Sequence, residues 1–118
     1  METTALGRRG ESLALAYLEK KGYKKITCNY KSTHGEIDLI MEDQGTLVFI
    51  EVKSRRNFSY GEPKQAVTPI KQKHIRYTAR SFLYTHHITN RSLRFDVVEV
   101  LLQERDAARF HHIRNAFT

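Results

Sequence analysis

Between Lys31 and Lys53 the chain holds no other Lys or Arg, yet it places Glu36, Asp38, Glu42, Asp43 and Glu51 among a dense set of aliphatic residues. Alternation of period two reads residues 37–41 and 46–53 as strands, with Glu42-Asp43-Gln44-Gly45 as the hairpin loop between them. A lone hairpin is marginal in water, so the rest of the chain must cover it. If the loop pairs Met41 with Thr46, Asp38 lies opposite Phe49 and Glu36 opposite Glu51. One face then carries Ile37, Leu39, Met41, Val48, Ile50 and Val52. The other carries Ile40, Leu47 and Phe49 near the turn and Glu36, Asp38, Glu51 and Lys53 at the far end. Three acids and one ammonium gathered there repel unless a cation or a proton neutralises them, or unless they face solvent.

The remaining pattern supplies the cover. Leu6, Gly10, Leu13, Ala14, Tyr17 and Leu18 recur at helical spacing, and Lys20-Lys21-Gly22 closes the run, so a first helix is expected over about residues 4–21. Gly7 and Gly10 fall in its apolar stripe, which implies close backbone approach to a neighbour and carries Glu11, at the stripe's edge, toward the sheet. An exposed Glu11 is the alternative. Residues 23–30 form a weaker strand. Thr68-Pro69 is an N-cap followed by a first-turn proline, opening a helix to about His86. Residues 95–101 are a strand, and 109–113 a short final one. The order α-β-β-β-α-β, without repeat or linker, predicts a single α/β domain over 1–118 with a mixed sheet between helices.

With 118 residues the chain can bury a sizeable core. Its longest apolar run is six residues, 13–18, far short of a membrane span, and the first residues lack the pattern of a secretory signal. The single cysteine, Cys28, excludes an internal disulfide, and a reducing cytoplasmic setting is expected. Cys28 reads as a small strand residue. His86-His87 and His111-His112 do not make a zinc motif, because adjacent side chains on an extended segment point to opposite faces.

A formal charge of +7 favours an anionic partner. The segment 63–95 has no Asp or Glu but contains Lys64, Lys71, Lys73, Arg76, Arg80, Arg91 and Arg94. Lys73, Arg76 and Arg80 fall within about 60° on the second helix, as either a phosphate-binding face or a solvated one. Arg55, Arg56, Lys64 and Lys71 could extend it. Phe58 and Tyr60 could stack on bases. Oxygen ligands clustered beside cations suit a hard divalent ion next to phosphate.

Five blocks in order, Gly7-Arg8-Arg9-Gly10-Glu11, Gly35-Glu36-Ile37-Asp38-Leu39-Ile40, Val48-Phe49-Ile50-Glu51-Val52-Lys53, Ala66-Val67-Thr68-Pro69 with Lys71-Gln72, and Arg94-Phe95-Asp96-Val97-Val98-Glu99-Val100, resemble the YraN family of bacterial proteins. That family in turn resembles the PD-(D/E)XK nuclease superfamily, which includes the archaeal Holliday junction resolvases. The resemblance implies a restriction-endonuclease-like fold and a metal-dependent endonuclease acting on DNA, branched DNA included. It assigns Asp38 and Glu51 as metal ligands, with Glu11 as a further ligand and the Val52 carbonyl completing the shell. Mg²⁺ or Mn²⁺ is the implied cofactor. Lys53 would orient or deprotonate the attacking water or stabilise phosphate charge, Gln72 would be a polar site residue on the second helix, and Glu36 would support the acids. Ile37 stands where the motif name has proline. The alternative is a nucleic-acid-binding module of the same fold without efficient catalysis. A homodimer is compatible with either.

Overall fold

A computed structural model describes residues 5–56, 67–103 and 107–118. Helix α1 spans Ala5–Lys20, strands β1 to β3 span Lys24–Ser32, Gly35–Asp43 and Thr46–Arg55, helix α2 spans Pro69–Thr85, and β4 and β5 span Leu93–Leu101 and Arg109–Phe117. The α/β order expected from the sequence is present and is extended by β5, a full strand of nine residues where a short one was expected. The strands form one sheet in the order β1-β2-β3-β4-β5. Only β3 and β4 run parallel; the other pairs are antiparallel. That parallel pair needs a crossover, and α2 supplies it.

The two faces of the sheet carry separate cores. Ala14 and Leu18 of α1 pack with Leu39, Met41, Val48, Ile50, Val98 and Val100. Ile75, Ala79 and Phe82 of α2 pack with Ile40, Leu47, Phe49 and Val97. Each fully buried aliphatic side chain contributes about 1.5–3 kcal/mol relative to exposure. The α2 start is built as its sequence dictates, Thr68 Oγ1 accepting the Lys71 N–H at 3.1 Å with Pro69 in the first turn. Gly10 is buried because a Cβ there would overlap the Ser54 side chain on β3. The glycine lets α1 descend onto the sheet and brings Glu11 with it.

The hairpin register differs from expectation by two residues. Met41 pairs with Val48 and Ile40 with Phe49, so Phe49 faces Ile40 and not Asp38. Gln44 and Gly45 both take positive φ, 49° and 87°, making a two-residue turn in place of the four-residue loop. A shift of two preserves side-chain parity, so β3 keeps its expected faces. Ile37 is the exception, since it joins the α2-side core and not that of Leu39 and Met41. The β2–β3 ladder ends at Leu39–Ile50, while β2 continues paired with β1 to Gly35. Beyond Leu39, β2 therefore answers to β1 and α2.

Candidate active site

The acids gather where the β2–β3 ladder stops. Asp38, next along β2, turns its carboxylate toward β3, and Oδ2 accepts the Val52 N–H at 2.8 Å. A side chain thus takes a donor that a strand partner would otherwise satisfy. Continuing the register sets Asp38 beside Glu51, and the two carboxyl groups share a hydrogen bond. Burial first, then the charge of Glu51, pushes the Asp38 carboxyl up to about 9. At neutral pH this pair therefore holds a proton between its members.

Glu51 is itself buried, and its Oε2 faces two ammonium groups, Lys53 at 3.6 Å and Lys71 at 3.5 Å. Lys53 comes from the same strand two residues on, Lys71 from the first turn of α2. Glu11 reaches the site from α1. Burial, then the charge of Glu36, pushes its carboxyl up, and hydrogen bonds from Asn29 and with Asp38 partly offset this. With its amide nitrogen turned to the acids, Asn29 donates to Glu11 Oε1 at 3.0 Å and to Glu36 Oε1 at 2.9 Å. Two helices and three strands therefore converge on one end of the sheet.

The structure brings together Glu11, Glu36, Asp38, Glu51, Val52 and Lys53 from the sequence reading, and adds Lys71, which had been assigned to the phosphate face. Among the described residues, no three or more His, Cys, Asp or Glu are arranged to hold a metal ion. Asp38 and Glu51 form a pair, with Glu11 beside it and held by Asn29. Gln72 directs its Nε2 to the Val67 carbonyl at 3.1 Å, securing the start of α2. Lys73 and Arg80 are exposed, Arg76 donates to the Thr118 carbonyl at 3.0 Å, and Arg56 is exposed. Lys64, Phe58 and Tyr60 lie outside the described residues.

Arg55 departs from its expected role. Its Nη2 lies 3.4 Å from Glu99, an acid on β4 with no exposed surface, so this guanidinium is committed to a buried partner and is not a free phosphate ligand. Neither Glu99 oxygen makes a hydrogen bond among the described residues, and His111 Nδ1 lies at 3.7 Å. Arg94, from the basic segment, is equally committed. It grips Asp96 through Nε at 2.9 Å and Nη2 at 3.2 Å, reaches Asp43 at 3.1 Å, and donates to the Tyr23 hydroxyl at 2.7 Å. His112 Nε2 and the Asn115 N–H complete the shell around Asp96 at 2.7 and 3.0 Å. Burial alone would raise the Asp96 carboxyl, but these donors outweigh it and hold it below its usual range. The two histidines of the second pair do face opposite sides, His112 toward Asp96 and His111 toward Glu99. Sequence reasoning missed Asn29, Asp96 and Glu99. The last two carried a signal, since each is an acid set among the apolar residues of a strand and must be buried with a partner.

Comparison with known proteins adds the family. The protein resembles, at 46% identity, a UPF0102 protein of Geobacter sulfurreducens, over 95% of this chain and 88% of that one. A UPF0102 protein of Caldicellulosiruptor saccharolyticus is 37% identical over 99% of this chain and all of its own length, 100%. Among solved structures it is similar to Archaeoglobus fulgidus Hjc, a Holliday junction resolvase from an archaeal hyperthermophile, with TM-score 0.49 and 22% identity over 89% of this chain and 75% of that one. The model described as "Uncharacterised protein family UPF0102" matches residues 10–100. The five sequence blocks agree with the family model and with these relatives, and the chain belongs to the UPF0102 family, the YraN family that its motifs resemble.

Proposed function

We propose that this protein is a divalent-metal-dependent endonuclease of the PD-(D/E)XK kind, hydrolysing phosphodiester bonds in DNA. The observation that carries this reading is the hydrogen-bonded pair of half-buried Asp38 and buried Glu51 with Lys53 and Lys71 at its rim. Two carboxyl groups in contact need a shared proton or a cation, and a hard divalent ion suits an all-oxygen donor set. Asp38, Glu51 and the Val52 carbonyl would hold Mg²⁺ or Mn²⁺, with Glu11 joining directly or through water. Such an ion, when bound, neutralises phosphate charge and acidifies a bound water.

The chain's own residues do the rest. Lys53, anchored 3.6 Å from Glu51, either orients and deprotonates the attacking water or offsets charge on the phosphate oxygens. Lys71 presents a second cation to the same Glu51 oxygen from α2 and draws the phosphate toward the pair. Asn29 holds Glu11 and Glu36 in place, so the approach of these two acids is fixed before substrate arrives. The Val52 N–H keeps Asp38 pointed inward.

The test is incubation of labelled linear, single-stranded, flap and four-way junction DNA with the pure protein and Mg²⁺ or Mn²⁺. Cleavage that disappears with chelator and in Lys53→Ala and Glu51→Gln supports the reading. Metal-dependent cleavage unchanged in both variants contradicts it. DNA binding without cleavage of any substrate assigns the chain to a binding module instead.

A further inference from the structure

Helix α2 carries Lys71, Lys73, Arg76 and Arg80 and no acid. Its outward face, opposite Ile75, Ala79 and Phe82, holds Ile70, Lys73, Tyr77, Arg80 and Tyr84 within about 80° of arc. Ile70 is 69% exposed, Tyr77 39% and Tyr84 85%. Large apolar side chains left in water at seven-residue spacing, with a cation between each pair, are not needed for the core, which lies on the other side of the helix.

This face is stiffened and connected. The His34 ring meets Tyr77 edge-on with centroids 4.5 Å apart, and Thr33 Oγ1 lies 3.4 Å from the Tyr77 hydroxyl, so the β1–β2 turn braces the aromatic ring. Tyr77, Arg80, Ser81 and Tyr84 line a shallow hollow of about 320 Å³. A second hollow of about 330 Å³ lies toward the acids, lined by Lys31, His34, Glu36, Lys71 and His74 among others. Lys71 borders both this hollow and Glu51, at 3.5 Å. From Lys71 to Tyr84 the helix rises about 20 Å. Lys71 stands on the acid-pair side of α2, and the i+3 row Lys71, His74, Tyr77 and Arg80 runs obliquely from it onto the outward face that Tyr84 continues.

We infer that this oblique row is a track for a single-stranded DNA tail, whose phosphates leave Lys71, pass His74 and meet Lys73 and Arg80 on the outward face, and whose bases stack on Tyr77 and Tyr84. The inference rests on the nuclease reading for where the tail leads, and it names an unpaired strand as part of the substrate. Phosphate charge complements a helix with four cations and no acid, whereas a second copy docked two-fold on this face would bring Lys73 and Arg80 against their own equivalents. Bases in a duplex are already stacked on one another; only an unpaired strand offers free faces to tyrosine.

Binding is measured by fluorescence anisotropy in EDTA, where no cleavage interferes, with a labelled 12-nucleotide thymidine strand and a 12-base-pair duplex as probes. The wild-type protein binds the single strand more tightly. Tyr84→Ala, at a position too exposed to disturb folding, weakens single-strand binding about fivefold or more and leaves duplex binding within about twofold. Because the chain has no tryptophan, Tyr84→Trp supplies a unique fluorophore, retains binding, and is quenched when the thymidine strand is added. Equal affinity of Tyr84→Ala and wild type for the single strand, equal losses on both probes, or an unquenched indole would overturn the track. So would a change in sedimentation of Tyr84→Ala without DNA, which would assign the face to a second copy. Single-strand preference without metal-dependent cleavage retains the track and refutes the nuclease; cleavage without that preference does the reverse.

Discussion

The carboxylate of Asp38 accepts the backbone N–H of Val52 at 2.8 Å, just beyond the last rung of the β2–β3 ladder. One contact ends a strand pairing and aims an acid at Glu51. Placing a charge there has a cost, because a buried carboxylate beside another is stable only with a proton or cation between them.

The first consequence concerns pH. Asp38 is raised to about 9 in the folded chain, above the ordinary carboxyl range of the unfolded one. The folded state binds the extra proton, so this contribution is complete below about pH 4 and is lost progressively as pH rises through 9. Asp38→Asn keeps an acceptor for the Val52 N–H and removes the titration. Urea unfolding should show the variant more stable than wild type by about 1–3 kcal/mol at pH 8, with the gap closing toward pH 5.

Asp96 titrates with the opposite sign. Its carboxyl is held low, so its contribution is present at neutral pH and lost as pH falls below the usual carboxylate range. Asp96→Asn keeps one acceptor oxygen but removes the charge and turns an amide N–H₂ toward donors that Arg94, His112 and the Asn115 N–H direct at the two carboxylate oxygens. It should destabilise by about 2–4 kcal/mol at pH 7, with a smaller difference at pH 3, by denaturant melts at both values.

Breaking the Arg55–Glu99 pair tests whether Arg55 is structural. Arg55→Ala strands a carboxyl with no exposed surface and should cost about 3–5 kcal/mol. The double variant Arg55→Ala with Glu99→Gln should recover part of that loss in a double-mutant cycle. A phosphate-binding role alone would leave stability unchanged and reduce DNA affinity.

At Gly10 the test is steric. Gly10→Ala should cost about 1–3 kcal/mol, because its Cβ meets Ser54, and Ser54→Gly in the same chain should restore part of it. Since Glu11 is the next residue, any lift of α1 should also slow cleavage.

Much of this architecture is legible in local pattern. The Thr68-Pro69 cap, the period-two strands and the glycine in the α1 stripe each dictate what the structure contains. The hairpin register was not legible, because the two-residue turn requires Gln44 at φ 49°, a conformation that glutamine does not advertise. The candidate acids were readable because they lie on one hairpin and one helix edge. Lys71 was not, since its place beside Glu51 depends on how α2 crosses the sheet. Arg55 and Arg94 looked like free cations for a similar reason. Their partners Glu99 and Asp43 lie 44 and 51 residues away in sequence.

The central claim is that Asp38 and Glu51 form a metal-dependent phosphodiester-cleaving centre. The measurement closest to it is the single-turnover cleavage rate of flap or junction DNA in Mn²⁺ at pH 8, wild type against Asp38→Asn. Asp38→Asn should lose at least about a thousandfold in rate, roughly 4 kcal/mol of barrier, while melting at a higher temperature than wild type. A folded Asp38→Asn that cleaves at the wild-type rate, or a wild-type protein that cleaves no DNA with either Mg²⁺ or Mn²⁺, would contradict it.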